Sequence, residues 1–290
     1  PTPAEREALD AALAEEVEAL WLTDPVRAAR PAVLDEVKQL LALVETRLLD
    51  VVPKVYRKLE AGLARAYPGA DRRRVPAFLR FGSWIGGDRD GHPKVTHTVT
   101  AAAVRLQQET ILNHYLAAVE DLGRKLSLSD RFATAGQQLV ESLRADAQLL
   151  TEVPPPPTHE PYRAKCRYIA AKLARTLEYV RTHELDWAAE AFAPPPGVYL
   201  GRQGLLQDLD VIADDLRRVG ATATAGGAVH DLIRKVEVFG VHLMQLDLRQ
   251  HSNRHEQAVA EVFRVAGVAA DYLALSPDDR FALLAKELEA

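Results

Sequence analysis

Two stretches of this chain concentrate the side chains that can do chemistry. The first is FGSWIGGDRDGHP, Phe81 to Pro93. An apolar run holding Phe78, Leu79, Phe81 and Trp84 breaks there into Gly86, Gly87, Asp88, Arg89, Asp90, Gly91, His92 and Pro93. Adjacent glycines let a backbone take positive φ, or approach a ligand without a Cβ clash. A turn by itself needs one or two such residues, so this density of charge marks a site. The second stretch is VHLMQLDLRQHSNRH, Val241 to His255, where a run with Val241, Leu243, Leu246 and Leu248 leads into Arg249, Gln250, His251, Arg254 and His255. A guanidinium binds phosphate or carboxylate through two parallel charge-assisted hydrogen bonds and stays charged at every relevant pH. Arg249, Gln250 and Arg254 are therefore the strongest candidates for holding an anion.

Each candidate has a plainer reading beside it. Asp247 and Arg249 could form an ion pair at a strand end, since charged strand ends are common in barrels. Trp84 is an apolar wall for a ligand or a core tryptophan. Alternating charges in a glycine turn often fasten their own loop. Arg89 is expected to line the site, while Asp88 and Asp90, with Gly86, Gly87 and Gly91, shape the loop. The Asp88-Arg89-Asp90-Gly91 run lacks the further oxygen ligands of a calcium loop. His251 and His255 have zinc spacing only if both lie on one helix face, and Asn253 as helix cap leaves His251 outside. No metal ligand is expected, and no Walker loop or dinucleotide fingerprint occurs.

Stepwise, both stretches run strand, polar cluster, helix. An α/β barrel displays catalytic groups at its strand ends in this way, and so does an open α/β sheet. Only these two strands, at 78–84 and 241–248, stand out in 290 residues. Two strands cannot close a sheet, so the expected fold is mainly α. Helices are expected over 3–22 (Thr2 and Glu5 forming a capping box), 31–67 kinked or split in two at Pro53, 98–125, 129–150, 161–181, 201–218, 227–238, 253–265 (Asn253 with Glu256 as capping box) and 280–288. The chain thus divides into a helical block (1–75), a strand and glycine loop (76–97), a helical insertion (98–238), and a strand, arginine cluster and helices (239–290). TEVPPPP and APPPG are stiff connectors. Asp71 to Arg74 is a solvated basic cluster.

Composition narrows the class further. Hydrophobic residues make up 48% and charged residues 27% of the chain, ordinary for a globular protein. A net charge of -5 gives no sign of a nucleic-acid partner. The single cysteine, Cys166, excludes an internal disulfide and suits a cytoplasmic setting. No apolar run approaches the roughly 20 residues that span a bilayer, so no membrane association is expected. No basic-then-apolar leader opens the chain.

These stretches resemble the signatures of the phosphoenolpyruvate carboxylase family, FxSWxGGDRDGNPxVT and LVRxDIRQES-x-RH. LWLTDPVRAARPAVLDEVKQL (Leu20 to Leu40), VPKVYRKL (Val52 to Leu59) and EPYR (Glu160 to Arg163) resemble three further family motifs in the same order. The resemblance covers the whole chain, and it implies about a third of a long enzyme built on a (β/α)8 barrel. It implies conversion of phosphoenolpyruvate and bicarbonate to oxaloacetate and phosphate, with Mg2+ in the full-length enzyme, in a cytoplasmic homotetramer. It implies that Arg249 meets substrate as a catalytic residue and favours Trp84 as part of the substrate site; from their place in the two stretches Arg89 and Gln250 are expected to line that site, and Arg254 to line it or to orient the following helix. The family's TAHPTE histidine and GRGG loop do not occur in the chain, so the chain alone is expected to be inactive. A non-catalytic helical interaction module derived from the enzyme is the alternative. Three departures stand out: His92 for asparagine, His251 for glutamate and Gln245 for arginine.

Overall fold

A computed structural model describes residues 2–23, 31–68, 74–154, 159–182 and 194–289. The Asp24-Pro25 turn, most of the basic cluster at 71–74 and parts of both proline connectors lie outside these residues. The chain forms two separately compact units, 1–32 and 33–290. The first holds helix α1 (Pro3–Leu22). Its expected capping box is present: Thr2 Oγ1 accepts from the Glu5 amide at 3.3 Å, and the Thr2 amide donates to Glu5 Oε2 at 2.7 Å.

The second unit is mainly helical. Its α-helices are α2 (Val33–Leu43), α3 (Leu49–Ala66), α4 (His97–Lys125), α5 (Gln137–Leu149), α6 (Pro161–Thr182), α7 (Arg202–Arg218), the single turn α8 (Thr222–Thr224), α9 (His230–Phe239), α10 (Ser252–Val265) and α11 (Pro277–Glu289). Helices α4 and α6 pack along one another. Ile111, Tyr115 and Val119 of α4 recur on one face and are fully buried, as are Ile169 and Leu173 of α6. Leu205, Leu209, Ile212 and Leu216 of α7 bury the matching stripe. Apolar residues three and four apart share a helix face, which is why this periodicity builds a core.

The long helix expected over 31–67 is continuous but locally wide. Residues Val44–Leu48 form a π turn, and Pro53 sits inside α3. Proline offers no N–H to the Leu49 carbonyl and crowds it, and the chain widens just upstream instead of breaking. Helix α5 begins at Gln137, not near 129. The Gly136 amide donates to Asp215 Oδ1 at 2.9 Å, and Tyr162 donates to Asp215 Oδ2 at 2.8 Å. Those bonds tie the start of α5 to α6 and α7, and residues 129–136 stay outside the helix.

The two strands lie inside their expected ranges but are much shorter. Strand β1 (Gly82–Ser83) pairs in parallel with β2 (Gln245–Leu246). Upstream of β1, the Phe78 and Leu79 amides donate to the Tyr56 hydroxyl at 2.9 and 3.2 Å, so they have no strand partner. Upstream of β2, α9 ends at Gly240, the Leu243 amide returns to Phe239 O at 2.8 Å, and Leu243 adopts a φ of 67°. Leu248, at the end of the apolar run, is exposed.

A buried ionic cluster went unread in the sequence. Lys165 Nζ is fully buried and donates to Ser142 Oγ, Asp146 Oδ2 and Asp208 Oδ1 at 2.5, 2.6 and 2.6 Å. Lys172 Nζ meets the other oxygens of the same two carboxylates at 2.5 and 2.9 Å. Two ammoniums and two carboxylates thus alternate between α5, α6 and α7, and the cluster is neutral as a whole.

Candidate functional site: a glycine loop on an arginine strand

The glycine loop and the arginine segment are joined by a parallel ladder. The Gln245 amide donates to Phe81 O at 3.0 Å and the Asp247 amide to Ser83 O at 2.8 Å. Beyond the strands the pairing resumes as an isolated bridge between Asp88 and Arg249. There the Arg249 amide donates to Gly87 O at 3.1 Å, and the Arg89 amide to Arg249 O at 2.8 Å. Between these points the chain turns: the Gly87 and Asp88 amides both donate to Trp84 O, at 2.8 and 3.0 Å.

The turn requires its glycines. Gly86 has a φ of 89°, and a Cβ there would lie 2.7 Å from the Ala103 Cβ. A Cβ on Gly87 would come within 2.3 Å of the Asp247 carbonyl oxygen. Gly86 thus lets the loop lie on α4, and Gly87 lets it lie on the second strand.

Arg249 pairs across the ladder and not along its own strand. Its Nη1 donates to Asp88 Oδ2 at 3.4 Å, where the plainer alternative reading pairs it with Asp247. Its guanidinium carbon lies 5.5 Å from the centroid of the Trp84 ring, within cation–π range. The Arg249 side chain remains 52% exposed and Trp84 58% exposed, so neither is used up by the core. Asp88 accepts the Asp90 amide through Oδ1 at 3.2 Å, a bond that shapes the loop.

Next to this trio lies a groove of about 560 Å³ lined by Arg89, His92, Gln250, His251, Asn253 and Arg254. Arg89 Nη2 donates to Thr100 Oγ1 at 3.1 Å, and Thr100 donates to Gly86 O at 2.8 Å. Arg89 Nε is buried with no protein partner. Arg254 extends from the first turn of α10 and donates to Gln257 Oε1 at 3.2 Å. Arg89, Gln250 and Arg254 therefore share one groove, while Trp84 and Arg249 form the adjoining patch.

The cap of α10 differs from expectation. His251, not Asn253, is the N-cap, and its Nδ1 accepts the Asn253 amide at 3.3 Å. Gln250 Oε1 accepts the His251 amide at 2.9 Å. Thr100 was also missed, because nothing in a helical threonine's local sequence signals that it will brace an arginine.

The model of the phosphoenolpyruvate carboxylase family matches residues 1–290. The chain belongs to that family. It is 48% identical over 279 residues to the phosphoenolpyruvate carboxylase of Roseiflexus castenholzii, covering 95% of this chain and 30% of that protein. It is 40% identical to those of an Azoarcus species and of Nocardia farcinica, each alignment covering 99% of this chain and 30% of the relative. The chain thus spans about 30% of the length of the curated relatives it matches. Phosphoenolpyruvate carboxylases are lyases, and the family generally uses Mg2+. Among the described residues no group of three or more His, Cys, Asp or Glu side chains is placed to hold a metal. No helix among them is long and apolar enough to cross a membrane.

Proposed function

We propose that this chain supplies one wall of the phosphoenolpyruvate site in a carboxylase that forms oxaloacetate and phosphate from phosphoenolpyruvate and bicarbonate. One observation carries the reading. Residues 161 apart in sequence meet so that an exposed guanidinium lies over an exposed indole and is steered by a carboxylate. The reacting molecule carries a phosphate, a carboxylate and an apolar methylene carbon, and this patch has a complement for each kind of group. The Arg249 fork would hold an anionic oxygen pair, and the free part of the Trp84 face would lie against the methylene. Arg89 and Arg254 in the adjoining groove add positive potential.

In this reaction bicarbonate oxygen attacks phosphorus, the enol oxygen leaves, and carboxyphosphate and the enolate of pyruvate result. Carboxyphosphate releases carbon dioxide and phosphate, and the enolate carbon attacks the carbon dioxide. Negative charge moves from the phosphoryl group to the enolate, so fixed cations that need no reorganisation lower the barrier. Arg249 is the catalytic residue of that kind here, with Asp88 and Trp84 holding its orientation. Mg2+, when bound in the full-length enzyme, would add charge neutralisation. The described residues offer it no ligand set, so no step assigned to this chain runs through it. A cytoplasmic location and a homotetrameric assembly go with this reading of the full-length protein.

The test is oxaloacetate formation by the full-length protein with Arg249→Ala. A loss of kcat/KM of roughly 100-fold or more is expected from removal of a charge-stabilising donor. Unchanged kcat/KM would overturn the reading. The isolated chain is expected to give no turnover, and measurable turnover would show that its own residues suffice.

A further inference from the structure

We infer that His92 and His251 make anion binding in the groove proton-linked, so that an anion enters together with a proton. The inference rests on the anion-site reading above and adds its regulation. Both imidazoles line the groove, one from the glycine loop and one from the start of α10.

His251 Nδ1 accepts the Asn253 amide. It can do so only in the neutral ring with the proton on Nε2. Charging the ring puts a proton on Nδ1 and exchanges that acceptor for a donor. In the empty groove three things oppose this: loss of the cap, the charges of Arg89 and Arg254, and the positive end of α10. An anion in the groove reverses the balance, because it accepts from the new donor and is attracted to the new charge. His92 faces the same arginines and has no cap to lose.

The other residues lining the groove, Gly91, Pro93, Gln250, Asn253 and Gln257, carry no charge. The acidic groups on the same elements are Asp88, Asp90, Asp247 and Glu256. Asp88 is engaged by Arg249, and Glu256 by Arg280 of α11 at 3.4 Å. Lys94 adds positive charge on those elements, which also carry His255, and from α4 it is the uncharged Thr100 that meets Arg89. Among the described residues no carboxylate lines the groove, so a bound anion is the counter-ion available to a charged imidazole there.

The experiment is titration calorimetry of the full-length protein with sulfate, a dianion whose charge is constant across the interval. Runs at about pH 6 and about pH 8, in buffers of different ionisation enthalpy, count the protons taken up. Binding at least about threefold tighter at the lower pH, with net proton uptake, is expected. The His92→Asn/His251→Asn variant keeps a capping side chain at 251; it should bind sulfate with the pH dependence abolished. Arg254→Gln should weaken binding at both pH values, which locates the sulfate in this groove. Sulfate bound equally at both pH values without proton uptake overturns the proton linkage and leaves the anion site standing. No sulfate binding at either pH overturns both. Linkage that survives the double histidine variant, or binding untouched by Arg254→Gln, also overturns the inference.

Discussion

A Cβ on Gly87 would stand 2.3 Å from the Asp247 carbonyl oxygen, a backbone atom that cannot swing aside. The glycine loop and the arginine strand therefore approach as closely as two backbones can, and that approach carries Arg249 to Asp88. Gly87→Ala should push the strands apart, costing about 1–3 kcal/mol of stability. Gly82→Ala is the control, since its Cβ would meet Gln245 O at an ordinary 3.6 Å. It should change stability by less than about 0.5 kcal/mol. Denaturant midpoints of the two variants check this, and equal midpoints would contradict it.

On the proposed reading Asp88 and Trp84 orient Arg249, and the Trp84 face also lies against the substrate. Asp88→Asn keeps the shape of the loop but removes the charge that orients the guanidinium. It should lower kcat/KM about tenfold, less than loss of Arg249 itself. Trp84→Phe should retain more activity than Trp84→Ala, because phenylalanine keeps an aromatic face for the cation. Steady-state kinetics with varied phosphoenolpyruvate decide the order.

The Lys165 cluster should fail when one member is removed. Lys165→Met leaves Asp146 and Asp208, both largely buried, with Lys172 as their one ammonium and the Tyr199 hydroxyl on Asp208. Breaking such a buried set costs about 3–5 kcal/mol, readable as a lowered urea midpoint. Burial alone would raise the Asp208 carboxyl, but the Lys165 ammonium, then Lys172 and the Tyr199 hydroxyl, hold it below the usual carboxylate range. A carboxyl lowered in the folded state stabilises above its unfolded pKa, and that share is lost as pH falls through the folded value. The acid-induced loss should therefore begin below about pH 4 and be smaller in Asp208→Asn.

His114 should destabilise the fold in mild acid. Burial, and then the Lys235 ammonium 3.0 Å from its Nε2, push the ring down to about 4. The unfolded chain takes up this proton near pH 6.5 and the folded chain does not, so stability declines as pH falls from about 6.5 toward 4. Thermal midpoints of His114→Gln should decline less over that interval than those of the unaltered protein. Parallel curves would show that the ring contributes nothing.

Much of the helical scaffold was legible because its signals are local. Thr2 and Glu5 are three residues apart, and their box formed as read. The Ile111, Tyr115 and Val119 stripe repeats within one helix, and α4, α6 and α7 fell within a residue or two of expectation. Where a distant residue competes for a backbone group, local reading failed. Asp215 of α7 takes the Gly136 amide and delays α5, and Tyr56 takes the Phe78 and Leu79 amides and shortens β1. His251 escaped notice as a cap because Asn253 is the commoner capping type.

The sequence by itself determined which residues are candidates for the chemistry, where the glycines must stand, and to which family the chain belongs, because residue type and near-neighbour spacing are written along the chain. Only the tertiary structure decided that Arg249 turns to Asp88 and Trp84 and away from Asp247, and that Arg89 shares a groove with His92, His251 and Arg254. Those partners are set by the register of a two-residue parallel ladder, and register follows from packing between segments far apart in the chain.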